Sequence, residues 1–452
     1  MKIRLDLRLL FAALMVAGLY DAPAQTPQPA VLPDLNYKRL LNDLKVIVAT
    51  TPSTGDDLTI GLVLRYGSAY DPAEKGGLAH LVSRMFMKGT ADRSAQEIQD
   101  ELKYLTATLD LRCDWDGMYF MLRTQTQNFE RALLLLYQVV GEAQFTDEDF
   151  AKTKAEIIQE LEKREDPRNR LRTQLEATLF RGTTYGRQLR GSRASLQNIT
   201  LGDVRLFYRR FFSSGSASLV AAGSAPVSQV MQKATRIWGV WVKKDEVPFT
   251  FLSPREPAAR NIYLRDDPAT PAAQFILGGI WPRRDDPSYY PSILAARILQ
   301  DRVTKTLPTS LLTVGAEGRR LPGLFYIQGQ AAAEQAVEEI RRILDLVEAL
   351  KESNVTTDEL TEAQNRWINE FNQGQTTTES VCQMIMDSEL YRLGTNYAAS
   401  FTDIVRRTGP DSVKEAAKEW LLPGGVVIMV HGPAGVLRPE LEKLGQVQSI
   451  AP

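Results

Sequence analysis

The chain of 452 residues is long enough for two or three domains. Its 54 Lys and Arg residues balance 55 Asp and Glu for a formal net charge of −1, which leaves no electrostatic basis for nucleic-acid binding. A hydrophobic content of 44% with 24% charged residues is that of an ordinary globular protein.

Residues 1–24 read as a secretory signal peptide. Lys2, Arg4 and Arg8 precede an apolar run over 9–19, and Ala22-Pro23-Ala24 places small residues before a cleavage point after Ala24. The run is too short for a membrane span, and no later stretch could cross a bilayer. An exported chain is expected, periplasmic or extracellular, with a Pro-rich disordered leader over 25–35. Two cysteines, Cys113 and Cys382, lie in different halves and are read as free buried thiols.

A strand-like run over 58–66 leads through the turn signal Asp71-Pro72 to a helix carrying His80-Leu81-Val82-Ser83-Arg84. Its frame is the inverted zinc motif His-x-x-Glu-His. That motif works because positions i and i+4 share a helical face, so two imidazoles bind one zinc while the glutamate activates water. Here His80 stands at the first ligand position, Ser83 at the base and Arg84 at the second ligand position. A serine is no carboxylate base, and a guanidinium has no lone pair to offer a metal. Further along, Ser94-x-x-Glu97 and Thr146-x-x-Asp149 mark helix starts, and Asp116-Gly117 marks a hairpin between runs 111–113 and 118–124. The helix predicted over 147–165 sets Phe150, Ile157, Ile158 and Leu161 on one face.

The second half repeats the first. A run over 273–280 leads through Asp286-Pro287 to a helix over 290–299, and the strand endings 218–226 and 426–433 both close in a Gly-containing turn. The expected architecture is α+β: two homologous domains, each a mainly antiparallel sheet with helices packed on one face. The boundaries read as 36–242 and 261–441, joined by a linker over 243–260 and followed by a tail over 442–452.

Gly76-Gly77-Leu78-Ala79-His80, Met87-Lys88-Gly89-Thr90, the acidic segment 156–167, Thr184-Tyr185-Gly186-Arg187 with Gly191, and Leu321-Pro322-Gly323-Leu324-Phe325-Tyr326 form a set. Together they resemble the pitrilysin/insulinase family of zinc peptidases, which includes mitochondrial processing peptidase, over about 36 to 432. The resemblance implies a pair of homologous α+β domains. It puts Glu160 at the third zinc-ligand position and Thr153 where a further acid is usual. It also puts Leu307 and Val314 where an Arg and a Tyr would grip the substrate backbone. His80 and Glu160 therefore remain of the ligand set, and the vestigial site is His80, Ser83, Arg84 and Glu160, with no catalytic residue and no metal; zinc belongs to active homologues.

Plainer roles exist for these residues. His80 can be a core histidine, and Glu160 can pair with Arg164 at i+4; the family frame favours a buried Arg84–Glu160 pair instead. His431, at the last strand's turn, is read as solvated. Trp281, Tyr289 and Tyr290 are read as core, and Arg209-Arg210 and Arg319-Arg320 as solvated faces. The leading expectation is a non-catalytic subunit of an exported peptidase complex, paired as a heterodimer with an active homologue around a shared peptide chamber. The alternatives are a metallopeptidase with an atypical metal site and a purely structural homologue.

Overall fold

Sequences such as Lys45–Thr50 and Asp57–Leu64 are apolar on both faces of the strand, so each needs a packed layer on both sides. The computed structural model describes residues 32–51, 55–163, 166–308 and 311–450; the signal peptide, leader residues 25–31 and Arg164 lie outside them. The first sheet contains β1 (Asp34–Arg39), β2 (Lys45–Thr50), β3 (Asp57–Leu64), β4 (Thr108–Cys113), β5 (Met118–Gln125) and β6 (Ala217–Gly223), in the order β1-β2-β6-β3-β5-β4. Only β2–β6 is parallel in it. The second contains β7 (Asn261–Asp266), β8 (Ala272–Trp281), β9 (Thr313–Glu317), β10 (Gly323–Ala332), β11 (Val427–Gly432) and β12 (Val447–Ile450), in the order β12-β7-β11-β8-β10-β9. There β12–β7 and β7–β11 are parallel.

The strand sets β2-β6-β3-β5-β4 and β7-β11-β8-β10-β9 follow the same order, which is the duplication read from the sequence. The two-domain α+β architecture holds, with mixed sheets. Each sheet takes its sixth strand differently: β1 pairs antiparallel on β2, whereas β12 pairs parallel on β7. Two details depart from expectation. Asp34 and Leu35 belong to a strand rather than to a disordered leader, because their backbones pair with Thr50 and Ala49. Residues 447–450 of the expected tail form β12, which completes the second sheet.

Most helices cover one face of their own sheet. The opposite faces are covered by exchange. Helix Thr378–Tyr391 leaves the second half and lays Val381, Cys382, Ile385 and Met386 on Ile47, Val63, Tyr119 and Val220 of the first sheet. Helix Pro167–Leu179 leaves the first half and lays Leu171 and Leu175 on Ile276, Leu324, Val427 and Met429 of the second. Both Cys113 and Cys382 are buried and free.

A glycine admits each visiting helix. A Cβ on Gly61 of β3 would stand 2.4 Å from Cys382 Sγ, and one on Gly278 of β8 would stand 2.6 Å from Leu175 Cδ2 and 2.9 Å from the Phe325 carbonyl oxygen. Gly278→Val should therefore destabilise the chain by about 1–3 kcal/mol through overpacking, read as a lower urea midpoint. Gly435→Ala, where nothing lies within 4 Å of the added methyl, is the control and should leave the midpoint unchanged or slightly raised. An unchanged midpoint for Gly278→Val would show that the visiting helix can retreat freely.

Candidate functional site

The motif helix, Leu78–Met85, starts at Gly77, whose φ of 90° suits glycine. Close approach of two loops requires the neighbouring glycines: a Cβ on Gly77 would stand 2.6 Å from the Arg190 carbonyl oxygen, and one on Gly191 2.3 Å from that of Gly76. Asp71 fixes the helix start. One carboxylate oxygen accepts the Gly77 N–H and the other the Ala79 N–H, both at 2.8 Å, where the helix N-terminus favours an acceptor. The Arg187 guanidinium donates to the Asp71 carbonyl. The sequence marked Asp71 only as a turn residue and gave Arg187 no role.

The helix packs against β4, helix Asp147–Glu162 and helix Leu201–Phe211. On its outer side His80 is half-buried, with Arg84 one turn later. Arg84 meets Glu160 of the acidic helix in a bidentate pair, Nη1 to Oε2 and Nη2 to Oε1, both 3.1 Å. Glu156 extends the contact, 4.0 Å from Arg84 Nη2 and 3.8 Å from Lys88 Nζ. The pair is half-buried rather than buried, with side chains 29% and 31% exposed. Ser83 is buried and turns away, its Oγ donating to the His80 carbonyl at 2.7 Å. Thr153 is fully buried in the acidic helix.

These residues do not fit zinc. Arg84 brings a fixed positive charge to a ligand position and engages both oxygens of Glu160, the carboxylate that a metal would need. Among the described residues no group of three or more His, Cys, Asp or Glu side chains could hold a metal ion. Leu307 and Val314 sit elsewhere, packed in the second domain's apolar core with nothing polar to offer a peptide backbone. Beside the motif helix, β4 is an edge strand, paired on one side only.

Three readings of polar residues change. Arg319 is buried between the halves, not solvated: it bonds Glu176 at 2.7 Å and Glu317 at 2.9 Å and lies 4.1 Å over the Trp115 ring. Arg320 donates its backbone N–H to Asp116 and its guanidinium to the Arg65 carbonyl, each at 3.0 Å. Both follow from the β9–β10 turn, which inserts between the first half's 114–117 turn and Tyr185, whose hydroxyl donates to Asp116 and accepts the Leu321 N–H. His431 is buried within β11 with Asp267 at 3.3 Å, because the strand runs on to Gly432. Arg209 and Arg210 are exposed, and Trp281 is core, stacked on Phe325.

Fold and motif helix together define a zinc-peptidase scaffold whose ligand position is filled by an ion pair. The chain belongs to the insulinase family: residues 46–193 match the model Insulinase (Peptidase family M16), and residues 198–366 match the Peptidase M16 inactive domain. Among its relatives are an uncharacterized zinc protease of Rickettsia felis, 23% identical over 45% of this chain and 50% of that protein, and the mitochondrial cytochrome b-c1 complex subunit 1 of Bos taurus, 24% identical over 56% and 54%. These matches span about half the length of either relative. A crystal structure of a peptidase M16 inactive domain from Pseudomonas fluorescens shares the fold, with a TM-score of 0.80 at 20% identity over 88% of this chain and 98% of that one. Among the described residues no helix is long and apolar enough to cross a membrane.

Two predictions follow from this geometry. Arg84→Ala should cost about 1 kcal/mol, since a partly solvated pair contributes less than a buried one. The double change Ser83→Glu with Arg84→His should gain zinc affinity by equilibrium dialysis yet little turnover, because no neighbouring groups are placed to orient the new ligands; absence of any zinc uptake would put Glu160 out of reach of His80. A third concerns pH. Burial lifts Asp71 from the usual 3.8 to about 7, against the lowering effect of the Ala79 and Gly77 amides. Between those values the folded chain holds a proton that the unfolded chain has released, so this group's contribution to stability falls as pH rises through that window. Asp71→Asn should flatten the dependence of the urea midpoint between pH 5 and pH 7 (about the span of the shift).

Proposed function

We propose that the chain is the non-catalytic subunit of an exported M16 peptidase complex, forming a peptide-binding chamber with an active homologous subunit. The bidentate Arg84–Glu160 pair carries this reading. By the family frame Arg84 stands at the second imidazole's position and holds the carboxylate of Glu160, and Ser83 stands at that of the water-activating acid, while both domains and the glycine-framed motif helix remain. Leu307 and Val314, which the family resemblance puts at the usual substrate-clamp positions, are apolar, and this supports the same reading. The free edge of β4, beside the motif helix, offers unpaired N–H and C=O groups to an extended peptide. The N-terminal sequence supports export to the periplasm or beyond.

The test is to express the mature chain alone and beside a homologue that has an intact His-x-x-Glu-His helix. Alone, it should bind no stoichiometric zinc and show no chelator-sensitive cleavage of peptides. Together, the two should co-elute through an interface of roughly 1,600 Å² or more, and peptide hydrolysis should depend on the pair. One tightly held zinc per chain, with chelator-sensitive cleavage by this chain alone, would favour a metallopeptidase with an atypical site. A partner fully active by itself that never co-elutes would sink the heterodimer.

A further inference from the structure

A cavity of about 870 Å³ lies between β4 and β5 of the first sheet, the β9–β10 turn of the second and helix Thr378–Tyr391. None of the residues of the motif helix lines it. Its size falls in the range of small-molecule sites, roughly 300–1,000 Å³. Much of the wall is aromatic, including Trp115, Tyr119, Tyr289, Tyr391 and Tyr397.

Its charges are arranged unusually. Arg123 is committed to Glu379 at 2.7 Å and Asp110 at 2.6 Å, and Arg319 to Glu176 and Glu317. Arg112 and Arg284 also line the cavity, and neither makes an ion pair among the described residues. Arg112 lies 3.9 Å over the Tyr119 ring, while Arg284 donates to the Tyr397 hydroxyl at 2.6 Å and lies 4.2 Å over the Tyr289 ring. Two carboxylates share the space without closing on them. Asp387 accepts only the Gln383 amide at 2.8 Å, and Asp114 accepts the backbone N–H groups of Asp116 and Gly117. Burial pushes Asp387 up to about 6, and the Arg112 charge opposes that rise.

Arg112 and Arg284 supply positive charge for an anion, Asp387 supplies an acceptor for a cation, and the rings supply an apolar bed.

We propose that this cavity binds a small zwitterion with an apolar or aromatic side chain, a free amino acid or a dipeptide, with its carboxylate on the Arg112–Arg284 side and its ammonium toward Asp387. The proposal does not rest on the heterodimer reading, because every wall residue comes from this one chain. A ligand of this class is also what peptide hydrolysis releases.

The test titrates the full mature chain calorimetrically with L-phenylalanine, with N-acetyl-phenylalanine, which lacks the cation, with phenylalaninamide, which lacks the anion, and with the dipeptide Phe-Phe. One of the two zwitterions should bind and raise the melting temperature, and each blocked derivative should bind about tenfold more weakly or worse, as loss of a charged hydrogen-bond partner requires. The tighter of amino acid and dipeptide identifies the source. Arg112→Gln and Asp387→Asn should weaken the zwitterion, and exposed Arg209→Gln should not. No binding of either zwitterion at millimolar concentration, or equal binding of the blocked derivatives, would overturn the proposal. The derivative series needs only the unaltered chain, so a variant that fails to fold leaves the test intact.

Discussion

Because the central strands of both sheets carry apolar side chains on both faces, each sheet must be covered twice, and each half spends most of its own helices on one face. The second cover comes from the other half. Helix Thr378–Tyr391 closes the first sheet and helix Pro167–Leu179 closes the second. Burial of this kind contributes on the order of 25 cal/mol per Å² of apolar surface, so the exchange is a stability term as well as a topological one. It joins the two domains into one folding unit. Gly61 and Gly278 lie on central strands where a Cβ would strike the visiting helix.

The exchange also fixes what lies between the halves. Once helix Pro167–Leu179 is seated on the second sheet, Arg172 and Glu176 face Glu317 and Arg319 from the β9–β10 region, and two cations and two carboxylates form one cluster. Two arginines with two acids leave the cluster neutral. The Arg172 and Arg319 charges hold Glu317 below its usual range despite its burial. Aromatic faces complete the solvation of Arg319, with Trp115 and Tyr185 standing where water would otherwise be. The same seam forms one wall of the aromatic cavity, so its shape is set by the packing of the domains.

Local signals in the sequence carried the fold and the motif helix. The capping boxes at Ser94, the Asp116-Gly117 turn, the apolar strand runs and the paired Asp-Pro turns are short-range features, and a duplicated α+β chain follows from them. Of the candidate site, spacing put His80, Ser83 and Arg84 on one helix and the family resemblance pointed to Glu160, and the structure joins Arg84 to Glu160. What escaped was long-range. Arg319 and Arg320 look like a solvated pair because their partners, Glu176 and Asp116, lie more than a hundred residues away. His431 looked exposed because a Gly-Pro follows it, yet β11 pairs on both sides through that residue. Helix exchange leaves no local signature, since an amphipathic helix reads the same whichever sheet it covers.

At the motif helix the physical consequence of the substitutions is a change of tether rather than the loss of one. A zinc ion bound by two helices holds them together by coordination. Arg84 holds them through two parallel hydrogen bonds to Glu160, the fork geometry that makes guanidinium–carboxylate pairs directional. Meanwhile Asp71 and the Gly77–Gly191 contact keep the start of the helix fixed from the opposite end. With both ends held, the motif helix and β4, which packs against it, form one fixed surface.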